Sequence, residues 1–192
     1  MFDIMFVDGG NFPLSDASAL LMRLSLAGVN VESRARDLLP YWEKHNQDFV
    51  SLFYDGHNCF TTLLSRDSVA ADKLMDNMRD FISDNRSGWN KDVVTRLGVD
   101  LMQGIKNYFA GDYNQAVDLL NKVMPDLQNS IQGSWAQKDV FRQILVEACI
   151  KSGSPGNLSI AREVLDQKLV YQNVKSHAPA NQRILEKILT LA

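Results

Sequence analysis

The sequence lacks the features that mark secreted and membrane proteins. It has only 2 cysteines in 192 residues, which is too few for the disulfide framework of a small secreted domain. No apolar run in it reaches transmembrane length. Residues 1–8 carry acids and no basic region, so we expect no signal peptide. These absences predict a cytoplasmic protein in which Cys59 and Cys149 are buried thiols.

Concentrated positive charge is missing too. The chain has 20 Lys and Arg against 23 Asp and Glu, a net charge of −3, and no basic block or stripe. Nucleic acids and anionic membrane surfaces attract proteins through such basic regions. We therefore expect neither a nucleic acid nor a membrane as partner.

Signatures of common catalytic chemistry are also absent. The sequence contains no Ser-His-Asp nucleophile motif, no glycine-rich phosphate loop and no Cys-x-x-Cys pair. We accordingly predict no catalytic residue, no cofactor and no metal site. The pattern favours a non-enzymatic protein over an enzyme.

What the sequence does contain is an alanine followed, three and four residues later, by two large apolar residues. The four copies are Ala35 with Leu38 and Leu39, Ala71 with Leu74 and Met75, Ala116 with Leu119 and Leu120, and Ala161 with Val164 and Leu165. Residues at these spacings share one helix face, where the small alanine allows another helix to approach closely. The alanines are 36, 45 and 45 residues apart, a period typical of stacked helix pairs of the tetratricopeptide type. Four unrelated amphipathic helices would be the simpler alternative.

The apolar periodicity predicts helices throughout and no strand. The predicted helices cover about residues 15–27, 32–44, 47–64, 69–83, 91–110, 113–127, 135–152, 158–171 and 180–191. Pro40 should kink or divide the second helix, and the sixth helix should end near Pro125 or Leu127. We predict an all-α fold, a short right-handed solenoid of about nine helices in stacked antiparallel pairs. Its single helical-repeat domain would cover residues 15–192, after a lead-in segment at residues 1–14.

The lead-in is unusually apolar for a segment with no predicted helix. Phe2, Ile4, Met5, Phe6 and Val7 form an apolar cluster in it. Such a segment either folds back over the first helix pair or docks on a second copy of the chain. A homodimer formed through residues 1–14 is therefore one expectation.

Four stretches carry a resemblance to a known family. They are residues 16–24, Lys44-His45-x-x-Asp48, Phe53-x-Asp55-x-His57 and Ala136-Gln137-x-Asp139-Val140-Phe141. From about residue 16 to residue 190, the chain resembles the C-terminal part of the tetratricopeptide repeat protein 38 family. It differs from the family pattern at Lys138, where arginine is usual, and at Trp135, in place of a polar residue. The resemblance implies a helical-repeat protein and supplies no substrate.

The polar residues most suggestive of a site are His45, Asp48, Asp55 and His57. On one continuous helix Asp48 and Asp55 would share a face, whereas His57 would lie on the opposite flank of the apolar stripe. His57 should be more buried than Asp55 and should bond to a neighbouring helix. These residues either line a binding groove or tie their helix to its neighbours at the edge of the core.

A second group of candidate binding residues opens a later helix. Gln137 and Arg142 are candidates for ligand binding, and the helix dipole alone could explain the nearby Asp139. Trp89 and Trp135 lie beside predicted loops. We interpret them as residues that cap the core, with exposed anchors for a partner as the alternative.

The functional hypothesis is a non-enzymatic helical-repeat scaffold or adaptor. It would bind a protein or peptide in a groove lined by the first helices of the pairs. The alternative is part of an enzyme or a small-ligand-binding protein with a His/Asp pocket around Asp55 and His57.

Overall fold

A computed structural model describes residues 11–85, 87–172 and 178–191, and these residues form nine helices joined by turns, without a strand. The helices are α1 (Asn11–Leu26), α2 (Glu32–Trp42), α3 (Leu52–Leu64), α4 (Ser68–Ser83), α5 (residues 89–110), α6 (Tyr113–Ser130), α7 (Trp135–Ser152), α8 (Pro155–Gln172) and α9 (Pro179–Leu191). A 3-10 turn, Glu43–His45, follows α2. The predicted all-α class is confirmed over these residues.

Helix α5 is not uniform. Two α-helical segments, Trp89–Val93 and Val99–Ala110, flank a π-helical segment at Val94–Gly98. Gly98 faces α4 so closely that an added Cβ would lie 2.7 Å from the sulfur of Met78. The missing side chain therefore permits this approach of α5 to α4.

Each helix packs against the next helix in the chain, as stacked pairs require. The first helices of the pairs also pack on one another, since α1 contacts α3, α3 contacts α5, and α5 contacts α7. In addition α1 packs against α7, which brings the first pair to the fourth. An open stack does not require this last contact. Side chains of α1, α7 and α8 line a cavity beside it.

The four repeated alanines are all completely buried. Ala35, Ala71, Ala116 and Ala161 are each 0% exposed. The large apolar residues that follow them are buried, except Leu39 and Leu119, which are half-buried. The apolar stripe that the repeat predicted is therefore present on α2, α4, α6 and α8.

The first helix starts earlier than predicted. It begins at Asn11, so Pro13 lies in its first turn, where a missing backbone donor costs nothing. Leu14, which we had assigned to the lead-in, is completely buried in the core. Residues 1–10 of the proposed dimer segment, which include its apolar cluster, lie outside the described residues.

The predicted helix over residues 47–64 was wrong at its start. Phe49 has a positive φ of 43°, which is incompatible with helix continuation. Helix α3 begins only at Leu52, where the Ser51 hydroxyl accepts a hydrogen bond from the backbone N–H of Phe53 at 3.3 Å. Asp48 therefore precedes α3 and does not share a helix face with Asp55.

The two internal prolines do not end their helices. Helix α2 continues past Pro40 to Trp42, and α6 continues past Pro125 to Ser130. The Lys138 ammonium donates to the carbonyl of Gln128 at 2.7 Å, so one carbonyl in the last turn of α6 is paired. This contact from α7 helps the helix run beyond the predicted end.

Both cysteines are free and buried, as predicted. Burial raises the pKa of the Cys59 thiol and of the Cys149 thiol to about 12. The two side chains therefore behave as small apolar groups of the core.

The packing of the Phe141 ring of α7 against Gly56 of α3 gives a first testable prediction. A Cβ added to Gly56 would lie 2.7 Å from Cε1 of Phe141, a ring that is completely buried. Gly56→Ala should therefore destabilise the protein by about 1–3 kcal/mol in urea unfolding. Gly156→Ala is the control, because nothing lies within 4 Å of its added Cβ. Equal stability of both variants would contradict this packing.

Candidate functional site

His45 and Asp48 form a local pair between α2 and α3. The His45 Nδ1 and Asp48 Oδ2 atoms are 2.6 Å apart, and the side chains are 22% and 42% exposed. The His45 ring also lies edge-on to Trp42, with ring centroids 6.4 Å apart. Asp48 adds its charge to the environment of Asp55. The pair closes the turn that leads into α3.

His57 is enclosed by aromatic rings. Its ring centroid lies 4.3 Å from that of Phe53, 5.0 Å from Phe60 and 5.2 Å from Phe141 on α7. Its Nδ1 lies 2.7 Å from the Phe53 carbonyl. Because a carbonyl only accepts hydrogen bonds, Nδ1 carries the proton and Nε2 remains an acceptor. Nε2 has no hydrogen-bond partner among the described residues.

The environment of His57 keeps its ring neutral. Burial lowers the pKa of His57 to about 3; the hydrogen bond to Phe53 opposes this shift, and the charge of Arg23 adds to it. His57 is 0% exposed and Asp55 is 7% exposed, so the predicted order of burial is confirmed. The prediction that His57 bonds to a neighbouring helix was wrong, because its hydrogen bond stays within α3.

Asp55 directly precedes Gly56 in α3, and its side chain is buried. Its Oδ2 has no hydrogen-bond partner among the described residues. Burial raises the pKa of this carboxyl well above its usual range, and the charge of Asp48 raises it further. Asp55 and His57 are not hydrogen-bonded to each other.

Gln137 and Arg142, the second group of predicted residues, do line a cavity. This cavity of about 600 Å³ lies between α1, α7 and α8. Its lining residues are Asp16, Ala19, Arg23, Trp135, Ala136, Gln137, Asp139, Arg142 and Lys168. We call it the polar cavity, because five of these nine side chains are charged.

An adjoining cavity of about 410 Å³ extends toward α9. It shares Arg23, Asp139, Arg142 and Lys168 with the polar cavity. Its other walls include the apolar residues Leu26, Ala27, Val146, Ile150, Val164, Leu165, Ala180 and Ile184. We call this second space the apolar cavity, and the two together the groove.

Most polar groups in the groove have defined partners. Lys168 donates to Oδ2 of Asp139 at 2.8 Å, and Gln143 donates to the same oxygen at 2.6 Å. Gln137 donates to Oδ1 of Asp16 at 3.1 Å while completing a capping box with Ser134. Asp139 is therefore held by an ion pair with α8, a contact that the helix-dipole explanation did not include.

Arg23 reaches across the groove from α1. Its Nη2 donates to the carbonyl of Ala136, 2.7 Å away in the first turn of α7. Burial lowers the pKa of Arg23, while Asp139 and Asp16 raise it. The guanidinium therefore sits partly desolvated where the polar and apolar cavities meet.

Trp135 stands at the edge of the polar cavity and is 44% exposed, and Trp89 is 58% exposed. The interpretation of both as core caps was wrong. The Trp135 ring lies 5.3 Å from the Arg142 guanidinium and 5.1 Å from the Lys138 ammonium. These cation–π contacts help to hold the exposed indole at the edge of the cavity.

A third cavity of about 710 Å³ lies elsewhere, where the turn after α1 meets the start of α2 and the ends of α3 and α5. Its charged side chains are already ion-paired. Arg66 lies 2.8 Å from Glu32, and Lys106 pairs with Asp72. Each charged side chain that lines this cavity therefore already has an ion-pair partner.

Sequence reasoning missed Arg23 and Lys168, which complete the groove. Arg23 lies within the stretch 16–24 that carries the family resemblance, but nothing local distinguishes it from other helical arginines. Its contact with Ala136 spans 113 residues, and the Lys168–Asp139 contact spans 29. Only the packing of α1 and α8 on α7 brings these side chains together.

Comparison with known proteins adds no family. No protein-family model matches the sequence, and no solved structure matches it. Among the described residues, no three or more His, Cys, Asp or Glu side chains are grouped to hold a metal ion. In the same part of the chain, every helix is too short or too polar to cross a membrane.

The environments of His57 and Asp55 predict different costs of truncation. His57→Ala should remove a ring packed among three aromatic side chains and lower stability by about 2–4 kcal/mol. Asp55→Ala should cost less, because its Oδ2 makes no hydrogen bond. Thermal unfolding of both variants tests this order. A His57→Ala variant of normal stability that no longer binds a partner would instead place the residue in a binding site.

The raised pKa of Asp55 predicts a pH-dependent gain from Asp55→Asn. The folded wild type holds the proton more tightly than the unfolded chain, so its stability falls as pH rises from about 4 toward the folded pKa. The Asp55→Asn variant does not lose stability in this way, because its side chain carries no titrating proton. The stability difference between variant and wild type should therefore grow with pH, by at most roughly 1.4 kcal/mol per pH unit.

Urea unfolding between pH 5 and pH 8 measures this difference. His57 acts with the opposite sign, because its lowered pKa weakens the fold as pH falls below about 6.5. It is present in both proteins, so its effect cancels in the comparison. A difference that does not change with pH would contradict the neutral carboxyl.

Proposed function

We propose that the protein is a non-enzymatic helical-repeat scaffold that binds a peptide segment of a protein partner in the groove between α1, α7 and α8. The observation that carries this proposal is the meeting of a polar and an apolar cavity at one set of charged residues. A chain segment with polar and apolar side chains matches such a surface better than a uniformly apolar ligand does.

The repeat pattern supports the scaffold part of the proposal. Four buried alanines at similar positions, and helices packed in chain order, are what a short right-handed tetratricopeptide-like stack needs. We propose that the contact between α1 and α7 curls this stack and forms the groove between its first and fourth pairs. The tetratricopeptide repeat protein 38 resemblance is consistent with this proposal, and the two free buried thiols are consistent with a cytoplasmic location.

The features of the groove support a peptide as its occupant. The two cavities, of about 600 and 410 Å³, are each in the size range of specific ligand sites. Trp135 is exposed beside them, and tryptophan and arginine are the residues that most often dominate binding energy at protein interfaces.

The alternative of an enzyme or small-ligand site around Asp55 and His57 has no supporting observation in the described part of the chain. Neither residue lines any of the three cavities. His57 instead packs among three phenylalanine rings. We therefore assign both residues to the core.

A matched pair of cavity-filling variants tests the groove. Random peptides displayed on phage are first selected for binding to the wild-type protein, and the selected peptides are synthesised. Ala27 and Ala110 are both exposed alanines, but Ala27 lines the apolar cavity and Ala110 lines the third cavity. We expect Ala27→Phe to weaken binding of the selected peptides by about tenfold or more, which corresponds to roughly 1.4 kcal/mol. Ala110→Phe should leave their affinity unchanged.

The opposite pattern, with Ala110→Phe as the damaging change, would move the binding site to the third cavity. Selection that yields no peptide with measurable affinity would contradict peptide binding itself. Circular dichroism and thermal unfolding of both variants show that each substitution leaves the fold intact.

A further inference from the structure

Arg23 is a charged group whose contacts are incomplete. It is half-buried, and its hydrogen bond goes to a neutral carbonyl, that of Ala136. Among the described residues it forms no ion pair. A partly desolvated guanidinium has lost favourable hydration, and a bidentate carboxylate is the partner that best restores its interactions.

The acids that line the groove, Asp16, Asp139 and Glu147, do not fill this role, and Glu147 lies 3.9 Å from the Lys151 ammonium. Asp139 is engaged by Lys168 and Gln143 through the same carboxylate oxygen, and Asp16 accepts from Gln137. Both acids favour the charge of Arg23 from a distance but make no direct contact with it. The donor side of Arg23 is therefore available to an acid that comes from outside.

The charge balance of the polar cavity limits the size of that incoming charge. Arg23, Arg142 and Lys168 face Asp16 and Asp139, which leaves a net charge of plus one. The first turn of α7, whose backbone dipole favours anions, forms part of the same wall. A single carboxylate neutralises this excess, whereas a dianionic phosphate would also meet the repulsion of two acids.

The apolar cavity specifies the neighbour of the carboxylate. It shares Arg23 with the polar cavity, and its walls include the apolar residues Val146, Ile150 and Val164. A large aliphatic side chain would remove apolar surface from water there. The side chain must lie close to the acid in the bound segment, because both cavities include Arg23.

We propose that the groove recognises an acidic side chain next to a large aliphatic one, with the carboxylate bound by Arg23 in the polar cavity and the aliphatic group in the apolar cavity. This inference rests on the proposed function, since it names the chemistry of the segment that the groove binds. It is carried by the complementarity between a carboxylate and the Arg23 guanidinium, whose hydrogen bond goes to a neutral carbonyl.

Short Gly/Ser peptides with blocked ends provide defined probes. Each peptide carries one Glu and one Leu, at spacings from adjacent to one helical turn. Matched peptides replace Glu by Gln, Glu by phosphoserine, or Leu by Ser. Titration of the full chain, labelled with ¹⁵N, follows the side-chain Nε–Hε signal of Arg23 and the indole signal of Trp135.

We expect the best Glu/Leu peptide to bind about tenfold more tightly than its Gln counterpart and to shift the Arg23 signal. It should also bind more tightly than its phosphoserine and Ser counterparts. Arg23→Gln should reduce the Glu/Gln preference to about one. Arg96→Gln is the matched control and should keep the preference, because Arg96 is 51% exposed, pairs with Asp126 and lines none of the three cavities.

Equal affinity for the Glu and Gln peptides, or tighter binding of the phosphoserine peptide, would overturn the carboxylate assignment. So would a Glu preference that survives Arg23→Gln in a variant of normal thermal stability. If the phage-selected peptides still require the cavity at Ala27 in those cases, the proposed function stands and only the ligand class is wrong. If binding maps outside the groove altogether, both fail together.

Discussion

The structure depends on the approach of α7 to the helices at the start of the chain. Gly56 presents no side chain at the point where the Phe141 ring crosses α3, and α1 packs on α7 beside it. A larger residue at position 56 would displace the ring, because core atoms at these distances have no free volume to use. Helix α7, which also packs against α6 and α8, carries Trp135, Gln137 and Arg142 into the groove.

The Phe141 ring also forms part of the environment of the buried polar groups on α3. His57 fills the space between Phe53, Phe60 and Phe141 and pairs one nitrogen within its own helix. Asp55 tolerates burial through a raised pKa rather than through an ion pair. Both groups leave one atom unpaired, at a cost of about 1–3 kcal/mol each. In our interpretation this cost is offset by the apolar packing of α3 around them.

The groove also depends on the packing of α1 against α7. Arg23 on α1 and Lys168 on α8 belong to opposite ends of the described chain, yet both face Asp139 on α7. Lys168 satisfies the carboxylate of Asp139, whereas Arg23 has only a neutral carbonyl as its hydrogen-bond partner. Because Lys168 has a carboxylate as its partner and Arg23 does not, we propose that the groove prefers an acidic ligand.

The sequence alone determined the helical class and the buried face of the repeated helices. Ala35, Ala71, Ala116 and Ala161 could be assigned to the core because helical periodicity is a local property. The start of α3 could not be predicted, since it depends on the positive φ of Phe49, a turn conformation unusual for this residue type.

The candidate site was only half predictable for a related reason. Gln137 and Arg142 open a helix and were recognisable as a polar group, whereas Asp55 and His57 look equally polar in sequence and are buried in the core. Arg23 and Lys168 acquire their roles from contacts across 113 and 29 residues. Tertiary packing decided which polar side chains line a cavity and which are enclosed, because that distinction depends on how close the helices come to one another.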